Sequence, residues 1–175
     1  MAMTTLPSWY PWPETEHKPA PAPLLLVQAF VNTLDVEEGV DALDQEWFKQ
    51  AGLVVPDDLQ LARCMRESIR DLLSSREADL APLREVAARG DLRLTVAERG
   101  ELDLRGCGPD GLFELLLIIR SAQEDGTWQR LRVCANDECR WAFYDRSKNQ
   151  QGHWCDMSTC GNRLKNRKLR ARKRP

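Results

Sequence analysis

The chain of 175 residues can form one ordinary domain, or a medium domain followed by a small unit of roughly 50 residues or fewer. Its net charge of -2 conceals an asymmetry, because residues 1–133 hold 14 Lys and Arg against 23 Asp and Glu, whereas residues 134–175 hold 11 against 4. The acidic first part is thereby excluded as an autonomous binder of polyanions, and any nucleic-acid contact is expected in the basic C-terminal part.

The first 23 residues form an arm rich in proline and aromatic residues. Six of the ten prolines lie here together with Trp9, Tyr10 and Trp12, and this composition excludes regular helix or strand within the arm. Three aromatic side chains within four positions favour an arm that packs on the rest of the protein or on a partner, rather than one exposed to solvent.

No targeting or membrane-spanning segment is visible in the sequence. The opening residues Met-Ala-Met-Thr-Thr contain no basic cluster followed by an apolar core, and the longest aliphatic run, Leu115 to Ile119, is too short to cross a bilayer. We therefore expect a cytoplasmic protein without a membrane partner. In a reducing compartment, paired cysteines indicate metal or redox chemistry more often than disulfides.

Four helices are predicted before Gly90. Apolar residues at spacings of three and four predict the first helix, which begins at Leu24 and ends near residues 32–34 with one buried face. A second, short helix is expected over residues 41–50, a third after Pro56, and a fourth over residues 79–89. The third helix is predicted to carry a charged, outward side formed by Arg63, Arg66, Glu67, Arg70 and Asp71.

After Gly90 the apolar residues alternate, which predicts a β-hairpin with its turn at Arg99-Gly100. Residues 112–121 are apolar on nearly all sides and predict a buried helix, and residues 129–133 are expected to form a strand that leads into Cys134. The predicted fold class is mainly α with a small antiparallel hairpin or sheet (α+β). Three parts follow: an arm (1–23), an α-rich body (24–133) and a small C-terminal cysteine-containing finger that ends in a basic helix (134–175).

Four of the six cysteines form two pairs with the same spacing of four intervening residues. Cys134 and Cys139 make the first pair, and Cys155 and Cys160 make the second. Two turns that each offer two sulfurs supply the four soft, tetrahedral donors that Zn²⁺ prefers, so we predict one structural zinc ion. Disulfides or unpaired thiols are the alternatives, and His153 is a weaker candidate ligand.

The second cysteine pair runs into a basic stretch that we predict to be helical and to bind nucleic acid. Its arginines recur at spacings of three and four and form one stripe, beside a second stripe of cations, and a phosphate backbone is the simplest partner for such a surface. A solvated or frayed cationic terminus is the alternative. The candidate contacts are Asn162, Arg163, Lys165, Asn166, Arg167, Lys168, Arg170, Arg172 and Arg174.

The C-terminal segment resembles the CGNR zinc finger. The resemblance rests on Cys160-Gly161-Asn162-Arg163, preceded by the first cysteine pair, by Phe143-Tyr144-Asp145-Arg146-Ser147 and by Trp154-Cys155. Family members usually have arginine where this chain has His153, which puts a phosphate contact at that position in question.

The body resembles the ABATE domain, which precedes this finger in bacterial proteins. The matching residues are Phe30-Val31-Asn32-Thr33, Trp47 near Gly52-Leu53, and Met65-Arg66-Glu67. The resemblance implies a stress-induced transcriptional regulator in which an α-rich sensor is joined to a DNA-binding finger. It also implies an unidentified small ligand near Asn32, Thr33 and Arg66. The structural alternative is that Asn32 and Thr33 bond the helix end and that Arg66 pairs with nearby acids.

The leading hypothesis is a zinc-dependent, DNA-binding transcriptional regulator whose body senses a small ligand or mediates homodimerisation. The alternative is an RNA- or ribonucleoprotein-binding zinc adaptor, because Trp141, Tyr144 and Trp154 could stack on unpaired bases beside the cations. We do not expect an enzyme, since no nucleophile with a base, glycine-rich phosphate loop or open metal triad is apparent.

Overall fold

A computed structural model describes residues 18–163, which form helices and three small antiparallel sheets, and the predicted α+β class is confirmed. The helices are α1 Leu24–Val31, α2 Gln45–Gln50, α3 Leu59–Leu73, α4 Ala81–Ala88 and α5 Gly111–Glu124. The paired strands are β1 Leu34–Asp35 with β2 Val40–Asp41, β3 Asp91–Val96 with β4 Leu102–Cys107, and β5 Leu131–Val133 with β6 Ala142–Tyr144. A 3-10 turn, Trp128–Arg130, precedes β5, and a π-helical turn spans Met157–Gly161.

Most of the arm lies outside the residues that the structure describes. Trp9, Tyr10 and Trp12 lie outside residues 18–163, as do Leu164 and the rest of the basic stretch. Within the described part, no helix combines the length and the apolarity that crossing a bilayer requires.

Helix α1 forms the centre of the core. All of its residues are buried, including Gln28, so the helix is covered on every side and not on the single face that its periodicity predicts. Helices α3 and α5 and strand β6 pack around it. The ring of Phe30 lies against Trp47 and Phe48 of α2, with centroids 5.6 and 6.4 Å apart. These contacts fix the end of α1, from which Asn32 reaches the finger.

Helix α3 corrects the prediction of a charged, outward face. Its N-cap is Asp58, whose carboxylate accepts hydrogen bonds from the backbone N–H groups of Gln60 and Leu61 at 2.8 and 3.0 Å. Arg66 and Arg70, however, are only 2% and 0% exposed. Burial of these cations is tolerated because carboxylates or backbone carbonyls accept from both guanidinium groups, as described below.

The hairpin of β3 and β4 is more exposed than its alternating pattern predicts. Leu94 and Val96 point to solvent with 65% and 68% of their surface exposed. The hairpin approaches the body at its base, where a β-carbon at Gly106 or Gly108 would come within 3 Å of the Phe113 side chain. Both glycines therefore allow the close approach of α5, while the outer part of the hairpin extends beyond the core.

The sheet of β5 and β6 connects the body to the finger. Strand β5 ends at the predicted boundary, Val133, and pairs in antiparallel register with β6 on the other side of it. Leu131, Ala142 and Tyr144 belong to the same hydrophobic core as α1. The finger therefore packs directly on the body through this sheet.

Candidate metal centre

The four paired cysteines come together in the structure. The Sγ atoms of Cys134, Cys139, Cys155 and Cys160 all lie within 4.8 Å of one another. The distance from the Sγ of Cys155 is 3.7 Å to that of Cys139 and 3.8 Å to that of Cys160. Sulfurs at the corners of a zinc tetrahedron with Zn–S bonds of about 2.3 Å are about 3.8 Å apart. The donor set and its spacing therefore fit one zinc ion.

The first cysteine pair is positioned by the β5–β6 hairpin. The backbone N–H of Cys134 donates to the carbonyl of Trp141 at 2.9 Å and continues the strand pairing by one step. The chain then turns at Asn136, whose carbonyl accepts from the N–H groups of Cys139 and Arg140 at 2.9 and 3.0 Å. Arg140 completes this turn with a positive φ of 51°. The turn brings both sulfurs to the same side of the hairpin.

The second pair is positioned by two carboxylate-centred turns. Asp145 is buried, and its carboxylate accepts from the N–H groups of Ser147 and Gly152 at 2.9 and 2.7 Å, which folds the loop back toward the first pair. Asp156 then caps the π-helical turn by accepting from Ser158 N–H at 2.7 Å. Burial would raise the pKa of Asp145, but these hydrogen bonds outweigh burial and lower it.

The thiols influence one another's acidity strongly. Hydrogen bonds from the thiols of Cys139 and Cys155 lower the pKa of Cys134 to about 2. The bond to Cys134 in turn raises the pKa of Cys139 to about 12 and also raises the pKa of Cys155. Four sulfurs this close disfavour several negative charges at once, and a divalent cation removes that repulsion. This electrostatic requirement is a second reason why the cluster suits zinc.

Packing around the cluster is partly aromatic. Phe143 is buried against the cysteines, and Trp141 and Trp154 are partly buried beside them. The side-chain amide of Asn136 lies 3.8 Å from Cys160 Sγ and donates toward it, the type of contact that stabilises a metal-bound thiolate. Lys18 donates to the carbonyl of Trp154 at 2.8 Å, so the end of the arm is attached to the finger. A zinc ion bound by four thiolates supplies structural cross-linking at this centre and leaves no position for a reacting water.

Residues 130–173 match the CGNR zinc finger family. The match covers the four clustered cysteines and the basic stretch, and we refer to these residues as the CGNR segment. The full chain matches no curated protein. The similarity of the body, residues 24–133, to the ABATE domain stays a prediction.

Only two of the predicted nucleic-acid contacts lie within the described residues. Asn162 donates from its side-chain amide to the carbonyl of Ser158 at 3.2 Å, and Arg163 forms an ion pair with Glu37 in the loop between β1 and β2. The hydrogen bond that Arg163 donates to Glu37 raises the pKa of Arg163. The other predicted contacts lie outside the described residues, namely Lys165, Asn166, Arg167, Lys168, Arg170, Arg172 and Arg174.

The candidate ligand residue Asn32 is bound to the CGNR segment. Its side-chain amide donates to the carbonyl of Ala142 at 2.9 Å and accepts from the N–H of Ala142 at 2.7 Å. Gln28, one turn earlier on α1, donates to the same carbonyl at 3.2 Å and accepts from the N–H of Ala20 at 2.7 Å. These contacts favour the structural alternative for Asn32.

Thr33 and Arg66 form a second, adjacent network. The hydroxyl of Thr33 donates to the carbonyl of Phe30 at 2.8 Å and accepts from Arg66 at 3.0 Å. Arg66 also binds both carboxylate oxygens of Asp41, at 2.6 and 2.9 Å. Burial raises the pKa of Asp41, but the hydrogen bonds from Arg66 and the Leu43 backbone, with the charges of Arg66 and Arg63, together outweigh it and hold this pKa at about 2. Thr33 and Arg66 of the predicted ligand site thus bind each other and Asp41, whereas Asn32 binds the CGNR segment.

Sequence reasoning missed the role of Arg70. Its guanidinium donates to the carbonyl of Val31 at 2.6 Å, to that of Leu34 at 3.3 Å and to that of Arg140 at 3.0 Å. It therefore ties the end of α1 to the residue that follows Cys139, and burial lowers the pKa of Arg70. One signal was available: Arg70 follows Arg66 by four residues, directly beside buried Ile69, and so borders the apolar face of α3.

Proposed function

We propose that this protein binds DNA through its zinc-stabilised CGNR segment and that the α-rich body regulates this binding. The observation that carries the proposal is the cluster of four cysteine sulfurs, which immediately precedes a stretch dense in arginine and lysine. A closed four-thiolate centre gives a short segment a fixed fold, and the cations that follow it suit a phosphate backbone. Thiolate ligands also fit a reducing compartment, which supports a cytoplasmic location.

The contacts between the body and the CGNR segment support a regulatory role for the body. Asn32 and Arg70 both bind backbone groups of the finger, and Glu37 pairs with Arg163 at the start of the basic stretch. These direct hydrogen bonds are the route by which we propose that a change in the body reaches the DNA-binding segment. A small ligand that alters these contacts, or dimerisation of the body, is the form of regulation we propose.

The aromatic residues support DNA over the RNA alternative. Stacking on unpaired bases needs exposed rings. Tyr144 is buried in the core, and Trp141 and Trp154 pack against the cysteine cluster. Their rings stabilise the finger, and because Tyr144 is buried and both tryptophans are partly buried, less ring surface is available for stacking on a base.

The proposal is tested with the zinc-loaded full chain and fluorescently labelled duplex DNA of mixed sequence. Fluorescence anisotropy at increasing salt should show affinity that falls steeply, with a slope of about -0.9 in log K against log salt for each phosphate contacted. A Cys155→Ser variant should lose binding, and a Cys64→Ser variant, which changes an exposed cysteine outside the cluster, should retain it. Absence of duplex binding with zinc loaded, or preferential binding of single-stranded RNA, would contradict the proposal.

A further inference from the structure

A cleft lies where the end of α3 meets the CGNR segment. Its volume is about 250 Å³, and its lining includes residues from both parts of the protein. We call it the junction cleft. The body contributes the turn that follows α3, and the CGNR segment contributes β5 and the loop before the second cysteine pair. The polar side chains in its lining are those of Ser74, Ser75, Arg76, Arg132, Arg140 and His153.

The lining of the junction cleft is cationic. Three arginines contribute to it, no Asp or Glu is among the described residues that line it, and its one anionic group is the sulfur of the cluster residue Cys134. The arginines have carboxylate neighbours outside the lining: Arg76 pairs with Asp137, and Arg140 pairs with Asp71. Each of these contacts involves one guanidinium nitrogen in the structure. A planar guanidinium carries five N–H donors, so donors remain for an anion in the cleft.

Two of the arginines have shielded donors without an acceptor. The Nε atoms of Arg132 and Arg140 are inaccessible to solvent and have no hydrogen-bond partner within the described residues. The nearest carboxylate oxygen to Arg132 Nε belongs to Asp145 at 3.9 Å, which is too long for a hydrogen bond. The carboxylate of Asp145 instead accepts hydrogen bonds from the N–H groups of Ser147 and Gly152. An N–H group that water cannot reach is also out of reach of a ligand oxygen, so an anion in the cleft would be held by the terminal N–H donors of the guanidinium groups.

We propose that the junction cleft binds a small molecule through a phosphate group. Several guanidinium groups around one cavity match the multiple acceptor oxygens of a phosphate better than the two oxygens of a carboxylate. The cavity has room for one phosphate and a small organic part, whereas a nucleic-acid backbone presents successive phosphates along an open surface. The ligand would contact Arg76 of the body and Arg132 of the CGNR segment together, and so would strengthen the junction between them.

This inference goes beyond the DNA-binding proposal and does not depend on it. The test is isothermal titration calorimetry of the zinc-loaded full chain with inorganic phosphate at constant ionic strength, with sodium chloride as the reference titrant. We expect saturable phosphate binding, and binding about tenfold weaker in Arg76→Gln and in Arg132→Gln, because each variant removes a charge-assisted donor. Arg89→Gln is the matched control, since the side chains of Arg89 and Arg132 are both 35% exposed and Arg89 lies outside the cleft.

Zinc content and circular dichroism of each variant show whether the fold is retained. The side chain of Arg76 is 49% exposed, so Arg76→Gln should leave the fold intact. This variant therefore still tests the proposal if Arg132→Gln perturbs β5. Absence of saturable phosphate binding to the wild-type chain would overturn the proposal, as would equal weakening by Arg89→Gln. Duplex DNA is titrated in parallel. If no protein binds phosphate and the two variants weaken duplex binding, the phosphate proposal is overturned and these arginines contact nucleic acid instead. Absence of duplex binding by the zinc-loaded wild-type chain, with phosphate binding intact, would refute the DNA proposal alone.

Discussion

The side chain of Asn32 pairs with the backbone of Ala142 as a neighbouring strand would. Its amide oxygen accepts from the Ala142 N–H at 2.7 Å, and its amide nitrogen donates to the Ala142 carbonyl at 2.9 Å. Both residues are buried, and they are 110 positions apart in the chain. This pair therefore fixes helix α1 against the strand that follows the first cysteine pair.

Replacement of Asn32 should destabilise the whole fold. Asn32→Ala leaves the buried N–H of Ala142 without its acceptor, whereas the Ala142 carbonyl keeps the hydrogen bond from Gln28 at 3.2 Å. One unsatisfied buried group costs about 1 to 3 kcal/mol, so we expect a loss of about 1 to 3 kcal/mol. Urea denaturation of the zinc-loaded protein measures this change. Asn149→Ala, at an exposed position, should change the free energy of unfolding by less than about 0.5 kcal/mol. Similar values for the two variants would show that the Asn32 pair contributes little.

Arg70 should also stabilise the fold, because its guanidinium donates hydrogen bonds to three backbone carbonyls. Arg70→Met keeps much of the side-chain volume but leaves the carbonyls of Val31, Leu34 and Arg140 without this donor. We expect a loss of about 3 to 5 kcal/mol in the free energy of unfolding, the range for breaking a buried charged network. Chemical denaturation measures this loss, and Arg99→Met, a substitution in the exposed turn of the β3–β4 hairpin, is the control. A loss below about 1 kcal/mol for Arg70→Met would contradict this role.

The sequence predicted those features that depend on local patterns. Helical periodicity predicted α3, and cysteine spacing predicted a four-sulfur cluster that fits zinc. The contacts of Asn32 and Arg70 were not predictable in this way, because a side chain that binds a distant backbone leaves no periodic signal. The exposure of the β3–β4 hairpin also escaped prediction, since alternation indicates a sheet with an apolar face but does not indicate what covers that face.

Zinc removal should weaken the body as well as the finger. The β5–β6 sheet connects the cysteine cluster to the core around α1, so loss of the metal should expose Leu131 and Ala142 along with the cluster. We expect a chelator to lower the midpoint of thermal unfolding and to increase hydrogen exchange in α1. Cys155→Ser should reproduce both effects and abolish stoichiometric zinc binding, measured by mass spectrometry under native conditions. Cys64→Ser should behave as wild type, because Cys64 is exposed and lies outside the cluster.

The ion pair between Glu37 and Arg163 predicts that the body competes with DNA for the first arginine of the basic stretch. The side chains are 39% and 55% exposed, so water and salt screen the pair and it contributes little to stability. A phosphate that binds Arg163 nevertheless meets the negative charge of Glu37 beside it. Glu37→Gln removes the competing carboxylate, and we expect duplex affinity to rise about two- to fivefold at low salt. Thermal stability should change little.

The neighbouring Glu38 separates this specific competition from a general effect of net charge. Glu38→Gln changes the net charge of the protein by the same amount, and Glu38 is also exposed, but Arg163 pairs with Glu37. Anisotropy titrations with duplex DNA at low and at physiological salt should show the gain for Glu37→Gln only, and the gain should shrink as salt screens the pair. An equal gain in duplex affinity for both variants would show that the acidic body only repels DNA at long range, without specific competition by Glu37. Unchanged affinity in both would mean that Arg163 does not contact the phosphate backbone.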